Sequence, residues 1–372
     1  MPTPPIQNLA AIAAEAGVSR MTVSRALRNA RGVDPATRER ILAAVEKVGW
    51  RPNPMVSAFM SYVRTKRAPN EAGVLAYLTD EITREGRRSL DFYRRFYNGA
   101  VERANSRGYR LEVFKLRERG MTDRRLSDVL YARGIRGVVV SPMSSSHAHL
   151  NLDWNKFSAA AIGYSLLKPV LSRSTNDQYG TMLLALRELR RLGYERIALA
   201  LPQANDARVY YHWTAGFYSH HARYYPKDKP LLHYPPVWRD DAAMAWLRKT
   251  QPQVLVTTSR DLLPRLVNAG FDIPRKMGFV NLDWSPDLAP ASGVDQIAEE
   301  VGGSAVDIVV EQINKNESGI PLFPKTVLLT GKWVTGSTVL NLKETPRGKT
   351  RPTAAKKKIA RKKPARRVLQ PA

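Results

Sequence analysis

The chain has 372 residues, of which 43% are hydrophobic, and this is enough for two or three domains with buried cores. It has no cysteine, which excludes disulfide bonds, thiol catalysis and thiolate metal sites. No apolar run of roughly 18 residues and no secretory leader is present, so we predict a cytoplasmic protein without a membrane span.

The net charge of +26 is concentrated at the two ends of the chain. Residues 1–67 carry a net charge of +7 and residues 343–372 carry +11, whereas the long middle segment carries only +8. Charge of this size bears on binding partners rather than on the fold. It predicts a polyanion as partner.

Residues 8–28 have the pattern of two short helices joined by a tight turn. Asn8 predicts the start of the first helix, Gly17 the turn after it, and Ser19 the cap of a second helix over 20–28. The side chains expected to face inward are Leu9, Ile12 and Ala13 in the first helix, with Val23, Ala26 and Leu27 in the second.

A third helix is predicted between Asp34-Pro35, which supply a cap and a first-turn proline, and Gly49, which ends it. Its inner face is expected to consist of Ile41, Leu42, Val45 and Val48.

Two helices joined by a short glycine-containing turn form a helix-turn-helix, whose second helix enters the major groove of DNA. On that helix Arg20 and Arg25 suit bidentate pairing with guanine, and Met21 suits contact with a thymine methyl group. The hydroxyls of Ser19, Thr22 and Ser24 suit phosphates. The alternative is a generic three-helix bundle with a solvated basic face.

The stretches IAAEAGVSRMTVSRALRN and VDPATRERILAAVEKVGWRPNP resemble the DNA-binding headpiece of the LacI/GalR family. The resemblance implies a helix-turn-helix domain over 1–53 in which Arg20, Met21 and Arg25 read bases. The other DNA contacts that it implies are Ser19, Thr22, Ser24, Arg28 and Asn53.

The next segment, residues 54–71, contains the stretch MVSAFMSYVRTKR. In the family this segment is a hinge helix that forms on the operator, pairs across a dimer and inserts a leucine wedge into the minor groove. Phe59 stands at the wedge position here, and an aromatic ring can also unstack a base step. The alternative is a plain linker helix.

Residues 72–342 alternate apolar runs of strand length with amphipathic helices, which predicts parallel sheets covered on both faces. The number of units suits two lobes, with chain crossings near 164–176 and 283–295. The predicted strands are 73–79, 109–114, 136–142, 159–164, 196–201, 253–258 and 277–282, and the predicted helices are 91–107, 123–133, 178–192, 211–224, 240–249, 261–269 and 296–314.

This body resembles the periplasmic-binding-protein-like sensor of the same family in the stretches FYRRFYNGAVERANSRGY, ARGIRGVVVSP and LRELRRLGYERIALAL. The end PKTVLLTGKWVTGSTV resembles the C-terminal strands of that sensor more loosely. The fold class is therefore mixed: an all-α headpiece and a two-lobed α/β sensor and dimerisation domain.

A ligand in such a domain binds at the cleft beyond the carboxyl ends of the strands. The resemblance places Phe92 and Tyr93 where the family stacks an aromatic ring on its effector, and Trp213 where the family usually has arginine. An indole over a sugar face suits a carbohydrate. The polar candidates for effector contacts are Asp177, Asn281 and Asp283. The alternatives are core packing for the aromatic residues and turn formation for the polar ones.

Residues 343–372 form a Lys/Arg/Pro/Ala tail with too little apolar surface to offset the entropy of ordering, and we predict that it is disordered. A flexible cationic arm adds salt-dependent, non-specific affinity for DNA. The alternative is a solubilising tail without a partner.

Together these features predict a homodimeric transcription regulator, a repressor, that binds a pseudo-palindromic operator under the control of a small-molecule effector. No cofactor or metal is predicted, because the six histidines have no strong metal-ligand spacing. Neither a glycine-rich phosphate loop nor a G-x-S-x-G motif is found, so we expect no enzyme activity. The alternative function is an architectural DNA-binding protein that ignores small molecules.

Overall fold

In the computed structural model of the protein, the described residues are 9–27, 33–49, 73–80, 87–116, 118 and 120–344. The hinge segment 54–71 and the tail from residue 345 onward lie outside them, as does Asn8, the expected first cap. Among the described residues, no helix is both long enough and apolar enough to cross a membrane.

The N-terminal part contains helices α1 (Leu9–Ala16), α2 (Arg20–Leu27) and α3 (Pro35–Val48). Ile12, Val23 and Ile41, one from each helix, are fully buried and form the centre of a small core. Gly17 and Gly49 adopt φ values of +64° and +66°, which only glycine reaches without steric strain. The predicted turn and helix end are therefore confirmed.

The prediction that Leu42 lies on the inner face of α3 is wrong, because Leu42 is 51% exposed. Ala44, three residues after Ile41, is buried in its place. Adjacent residues on a helix point about 100° apart, so Ile41 and Leu42 cannot both face a core this small.

The cap of α3 gives a stability prediction, because Asp34 Oδ2 accepts a hydrogen bond of 3.2 Å from the Thr37 backbone N–H. Asp34→Ala should destabilise α3 by about 0.5–2 kcal/mol, and Asp34→Asn, which keeps an acceptor, should be near neutral. Amide exchange in the first turn of α3, measured in the full chain, should accelerate about 2- to 30-fold in the alanine variant alone. Equal exchange in both variants contradicts the capping role.

The rest of the described chain builds two six-stranded sheets, and each has helices on both faces. The strands are β1 (Gly73–Thr79), β2 (Tyr109–Lys115), β3 (Gly137–Val140), β4 (Ala148–His149), β5 (Ser158–Ile162), β6 (Leu166–Lys168), β7 (Ser172–Asn176), β8 (Ile197–Ala200), β9 (Leu231–His233), β10 (Val254–Thr257), β11 (Gly278–Trp284), β12 (Ser292–Asp295), β13 (Thr326–Leu329) and β14 (Lys332–Val334). The helices are α4 (Arg87–Ser106), α5 (Asp123–Ala132), α6 (Gln178–Arg191), α7 (Gln203–Ala207), α8 (His212–Tyr224), α9 (Asp240–Thr250), α10 (Leu262–Asn268) and α11 (Ala298–Lys315).

The first lobe contains the sheet β13-β7-β5-β3-β1-β2, in which the pairs are parallel. Helices α4 and α11 cover one face of this sheet, and α5 covers the other face. The second lobe contains the sheet β14-β12-β11-β10-β8-β9, where β14 alone runs antiparallel to its neighbour. Helices α6 and α8 pack on one face of this sheet, and α9 and α10 on the other. The predicted two-lobed α/β architecture is confirmed.

The positions of the crossings between the lobes differ from the prediction. The segments 164–176 and 283–295 still belong to single lobes, because they contain β6 and β7 of the first lobe and β12 of the second. The chain crosses at 177, at 296–297 and again at 330–331. Strand β7 escaped prediction because its sequence, SRSTN, has no apolar residue although every position is buried.

Asn176, the last residue of β7, joins the three crossings. Its Nδ2 donates to the backbone O of Leu329 at 3.0 Å and to that of Gln296 at 3.4 Å. Its Oδ1 accepts from the hydroxyl of Thr181 at 2.8 Å. A buried amide with both ends bonded costs little to bury and fixes the geometry of its partners. The crossings therefore lie together at one point between the lobes.

Candidate functional site

Helix α2 is the first candidate site. One of its faces packs into the core formed with α1 and α3, and the other presents polar and charged side chains. Val23 is fully buried and Ala26 is 5% exposed, whereas Met21 is 70% exposed and Arg20 and Arg25 are also exposed. Methionine and arginine are among the residues that are enriched at binding interfaces. The face therefore has the composition of a binding surface.

The start of α2 is fixed by Ser19. Its Oγ accepts a hydrogen bond of 3.0 Å from the backbone N–H of Thr22 and lies 2.8 Å from the Thr22 hydroxyl. The predicted cap is confirmed, and it holds the first turn of α2 rigid. Both hydroxyls lie at the exposed N-terminal end of the helix, where anions are favoured by the helix dipole.

The second candidate site is the cleft between the lobes, where α4 of the first lobe meets the ends of β11 and β12. Arg95 on α4 donates to Asp295 at 2.9 Å and to Glu299 at 2.6 Å, and its side chain is only 16% exposed. Asp295 ends β12 in the second lobe, whereas Glu299 lies on α11 in the first. Arg95 therefore holds an ion-paired network that spans the cleft.

Asp283, near the end of β11, lies beside this network. Burial raises the pKa of Asp283 to about 6, although the nearby guanidinium of Arg260 acts to lower it. Arg260 Nη1 donates to the Asp283 backbone O at 2.8 Å, and its Nη2 binds Asp287 at 2.7 Å. At pH 7 this carboxyl group is mostly ionised and accepts hydrogen bonds, and below pH 6 most of it is protonated and can also donate one.

The comparisons with known proteins match both parts of the chain. Residues 8–53 match the family of bacterial regulatory proteins called the lacI family. The HTH-type transcriptional regulator reg1 of Streptomyces lividans is 26% identical over 329 residues, which cover 82% of this chain and 90% of that protein. Residues 8–53 therefore match the lacI family of regulatory proteins, and over most of its length the chain is similar to HTH-type transcriptional regulators.

Solved structures of LacI-family regulators share the fold of the whole described chain. The complex of the regulator CelR with cellobiose has a TM-score of 0.52 and 22% identity, and the match covers 89% of this chain and 99% of that one. The lac repressor dimer bound to operator and the anti-inducer ONPF has a TM-score of 0.52 and 18% identity, with coverage of 90% and 99%. These likenesses support the two-lobed sensor fold.

Two of the expected effector residues are buried in the second lobe. Trp213 is 3% exposed and packs in the core between α6, α8 and the second sheet, so it cannot stack on a ligand in the cleft. Asn281 is fully buried, donates to the Ser259 backbone O at 2.9 Å and accepts from the Asp283 N–H at 2.7 Å. Both side chains face the interior of the second lobe in this structure, which counts against these two predictions.

Asp177 lies at the first crossing, where it caps α6 by accepting a hydrogen bond of 2.8 Å from the Gly180 N–H. Tyr93 is half-buried on α4, two residues before Arg95. The structure thus brings Asp283 toward the Arg95 network. The side chains of Ser24 and Phe92 lie outside the described part of the structure, as do Arg28, Asn53 and Phe59.

Arg95, Arg260 and Asp295 organise the cleft, and none of them was among the predicted site residues. Arg95 stands inside the stretch FYRRFYNG, two residues after Tyr93. Its partners are about 200 positions away in sequence, so no local spacing points to them. An arginine beside the expected stacking ring was the only available signal.

Proposed function

We propose that the protein is a repressor that binds a pseudo-palindromic operator as a homodimer and responds to a small carbohydrate. The observation that carries this proposal is the exposed face of α2, which is capped by Ser19 and presents Arg20, Met21 and Arg25. We assign base reading to these three residues, and phosphate contacts to Ser19, Thr22, Ser24 and Arg28.

The remaining assignments also rest on the resemblance to the LacI/GalR family. Asn53 and Phe59 are proposed DNA contacts in the headpiece end and hinge, with domain limits of 1–53, 54–71, 72–342 and 343–372. Phe92, Tyr93, Asp177 and Asp283 are the proposed effector residues after Trp213 and Asn281 are set aside. The cellobiose complex of CelR supports a carbohydrate as effector class, because its fold matches 89% of this chain.

The proposed dimer is supported by the lac repressor, which is a dimer on its operator. In the second lobe of this chain, Leu263, Pro264, Leu288 and Pro290 line an apolar groove of about 390 Å³. Val267 beside it is 53% exposed. A second copy seated on this face would bury these side chains, and sedimentation of the full chain should then give twice 41.8 kDa.

The test is selection of bound sequences from a random DNA pool by the full-length protein. Two half-sites related by a two-fold axis should emerge, one for each head of the dimer. Failure to enrich any sequence would refute the proposed function. A thermal-shift screen with mono- and disaccharides tests the effector separately, since a ligand at 100 times its Kd stabilises by about 2.7 kcal/mol. Enrichment of an operator with silence across the panel favours the architectural alternative.

The basic tail gives a prediction of its own, because residues 345–372 contain eleven lysine and arginine residues and no acidic residue. Deleting them should flatten the dependence of log K on log salt by about 0.9 for each phosphate that the tail neutralises, without changing the preferred sequence. The deletion begins at 345 because the Leu342 N–H donates to the Leu192 backbone O at 2.9 Å and belongs to the fold.

The control for the deletion keeps the length of the tail and replaces its lysines and arginines by glutamine. Binding measured at several salt concentrations should give the same reduced slope for both variants. An unchanged slope, or a shift in the selected sequence, would contradict a purely electrostatic role of the tail.

A further inference from the structure

Residues 208–212, which we call the strap, connect α7 to α8 in the second lobe and contact the first lobe directly. Arg208 donates from Nη1 to the backbone O of Ser144 at 2.8 Å and from Nη2 to that of Met143 at 2.8 Å. Both carbonyls follow β3 of the first lobe. Hydrogen bonds from a charged group are stronger than neutral ones, and two of them from one planar group fix its orientation. Arg208 is therefore a two-point attachment across the cleft.

An aromatic contact crosses the cleft beside Arg208. The ring of Tyr210 lies 4.7 Å from the ring of Tyr164 between centroids, at an interplanar angle of 45°. The ring of His212 meets the same tyrosine edge-on at 5.6 Å. Tyr164 follows β5 in the first lobe and is only 9% exposed. Aromatic pairs at such distances contribute about 0.5–1.5 kcal/mol beyond the area that they bury.

Tyr164 is held in place from its own lobe by Arg173 on β7. The Arg173 guanidinium lies 5.4 Å from the centre of the Tyr164 ring and donates to the Gly163 backbone O at 3.2 Å. Arg173 is 4% exposed, so this cation–π contact is shielded from water, where such contacts are strongest. The ring that receives the strap is therefore already fixed.

The backbone of the strap is itself held in an unfavourable shape. Tyr210 and Tyr211 are consecutive residues with φ values of +53° and +62°, a region that costs a non-glycine residue about 1 kcal/mol or more. The buried Asp206 maintains this shape, because its backbone O accepts from the Tyr211 N–H at 2.9 Å and its carboxylate accepts from the Trp213 N–H at 3.1 Å. Side chains at positions 208 and 210 are thereby aimed at the first lobe.

We propose that the strap fastens the two lobes together by protein contacts alone, so that closure of the cleft does not require an effector. A small molecule that enters the cleft must then displace the strap or bind beside it. This inference concerns the geometry of the lobes, and it holds whatever DNA sequence the protein binds.

The experiment measures the distance between the lobes in the full-length protein. Because the chain has no cysteine, Arg124→Cys on α5 and Lys249→Cys on α9 introduce spin labels at one exposed position in each lobe. Labelled chains are diluted with unlabelled ones so that only distances within one chain are read. The labelled protein with an unaltered strap should give one narrow distribution of distances between the labels in buffer without any added sugar.

The decisive variant is Arg208→Ala/Tyr210→Gly, which removes the contacts of Arg208 and Tyr210 and leaves only that of His212, while glycine keeps the positive φ at position 210. This double variant should show a second, separate population of distances between the two spin labels. The matched control is Tyr211→Gly, which relieves the same kind of backbone strain at a residue whose side chain is 57% exposed. This control should keep the parent distribution.

Two outcomes would overturn the proposal. One is an unchanged distribution in the double variant, and the other is the same change in the Tyr211→Gly control, which would assign closure to backbone strain instead. If the double variant fails to fold, Arg208→Lys replaces it. Lysine keeps the charge but cannot reach both carbonyls with fixed geometry, so a partial second population is expected, and its absence counts against the strap.

Discussion

Gly302→Ala is expected to destabilise the sensor by about 1–3 kcal/mol, whereas Gly303→Ala should be neutral or stabilising by up to about 1 kcal/mol. Both glycines lie inside α11, where alanine is the better helix former. A Cβ atom at 302 would lie 2.0 Å from the backbone O of Phe96 on α4, but a Cβ at 303 would meet nothing closer than 3.4 Å. Only the first substitution forces two helix backbones apart.

The contact is reciprocal, since a Cβ at Gly99 on α4 would lie 1.9 Å from the backbone O of Glu299 on α11. Interlocked glycines thus set the distance between the helices that carry Arg95 and Glu299. Urea midpoints of the two alanine variants, measured side by side on the full chain, provide the check. Equal midpoints for Gly302→Ala and Gly303→Ala would show that α4 and α11 tolerate separation.

The second large effect is expected at Arg20. Arg20→Ala should weaken operator binding by about 1–3 kcal/mol, which is roughly 5- to 150-fold, and should relax the preference at one base pair of each half-site. The cause is the removal of a guanidinium that pairs with a guanine edge. Alanine at the first residue of α2 leaves the Ser19 cap and the helix intact.

The control for Arg20 is Lys47→Ala, which removes the same charge from α3. Lys47 is 72% exposed and pairs with Glu15, a surface contact that contributes about 0–1 kcal/mol. It should leave the preferred sequence unchanged. Binding titrations on operators mutated one base pair at a time decide the matter. If Arg20→Ala binds every operator variant as the parent does, Arg20 does not read a base.

The helices and the strands with apolar runs were predictable, because each carries its own local signal. Runs such as GVLAYLT and QVLVTT mark buried strands, and glycines mark the helix ends. Strand β7 gave no such signal, since it has no apolar residue, and its buried Ser172 and Asn176 side chains bond to residues over 100 positions away. The crossing points were misplaced for that reason.

The candidate sites differ in the same way. Helix α2 was readable because its cap, its buried stripe and its exposed arginines lie within nine consecutive residues. The role of Trp213 was misjudged, although Trp213, Phe217 and His220 stand at helical spacing on one buried face of α8. That pattern favoured the core. Arg95 and Arg208 act across the cleft, and contacts between separate lobes leave no trace in local spacing.

The three crossing segments lie together around Asn176, so cleavage by a protease at one of them should not separate the lobes. A single nick at 177, at 296–297 or at 330–331 leaves the lobes covalently tethered through the two intact connections. The two fragments of the cleaved chain would stay associated through non-covalent contacts and would elute together until a denaturant separates them. Because the crossings lie together at one point, rigid-body motion is restricted to a swing about that point, since sliding one lobe past the other would break the hydrogen bonds of the Asn176 amide with Gln296 and Thr181.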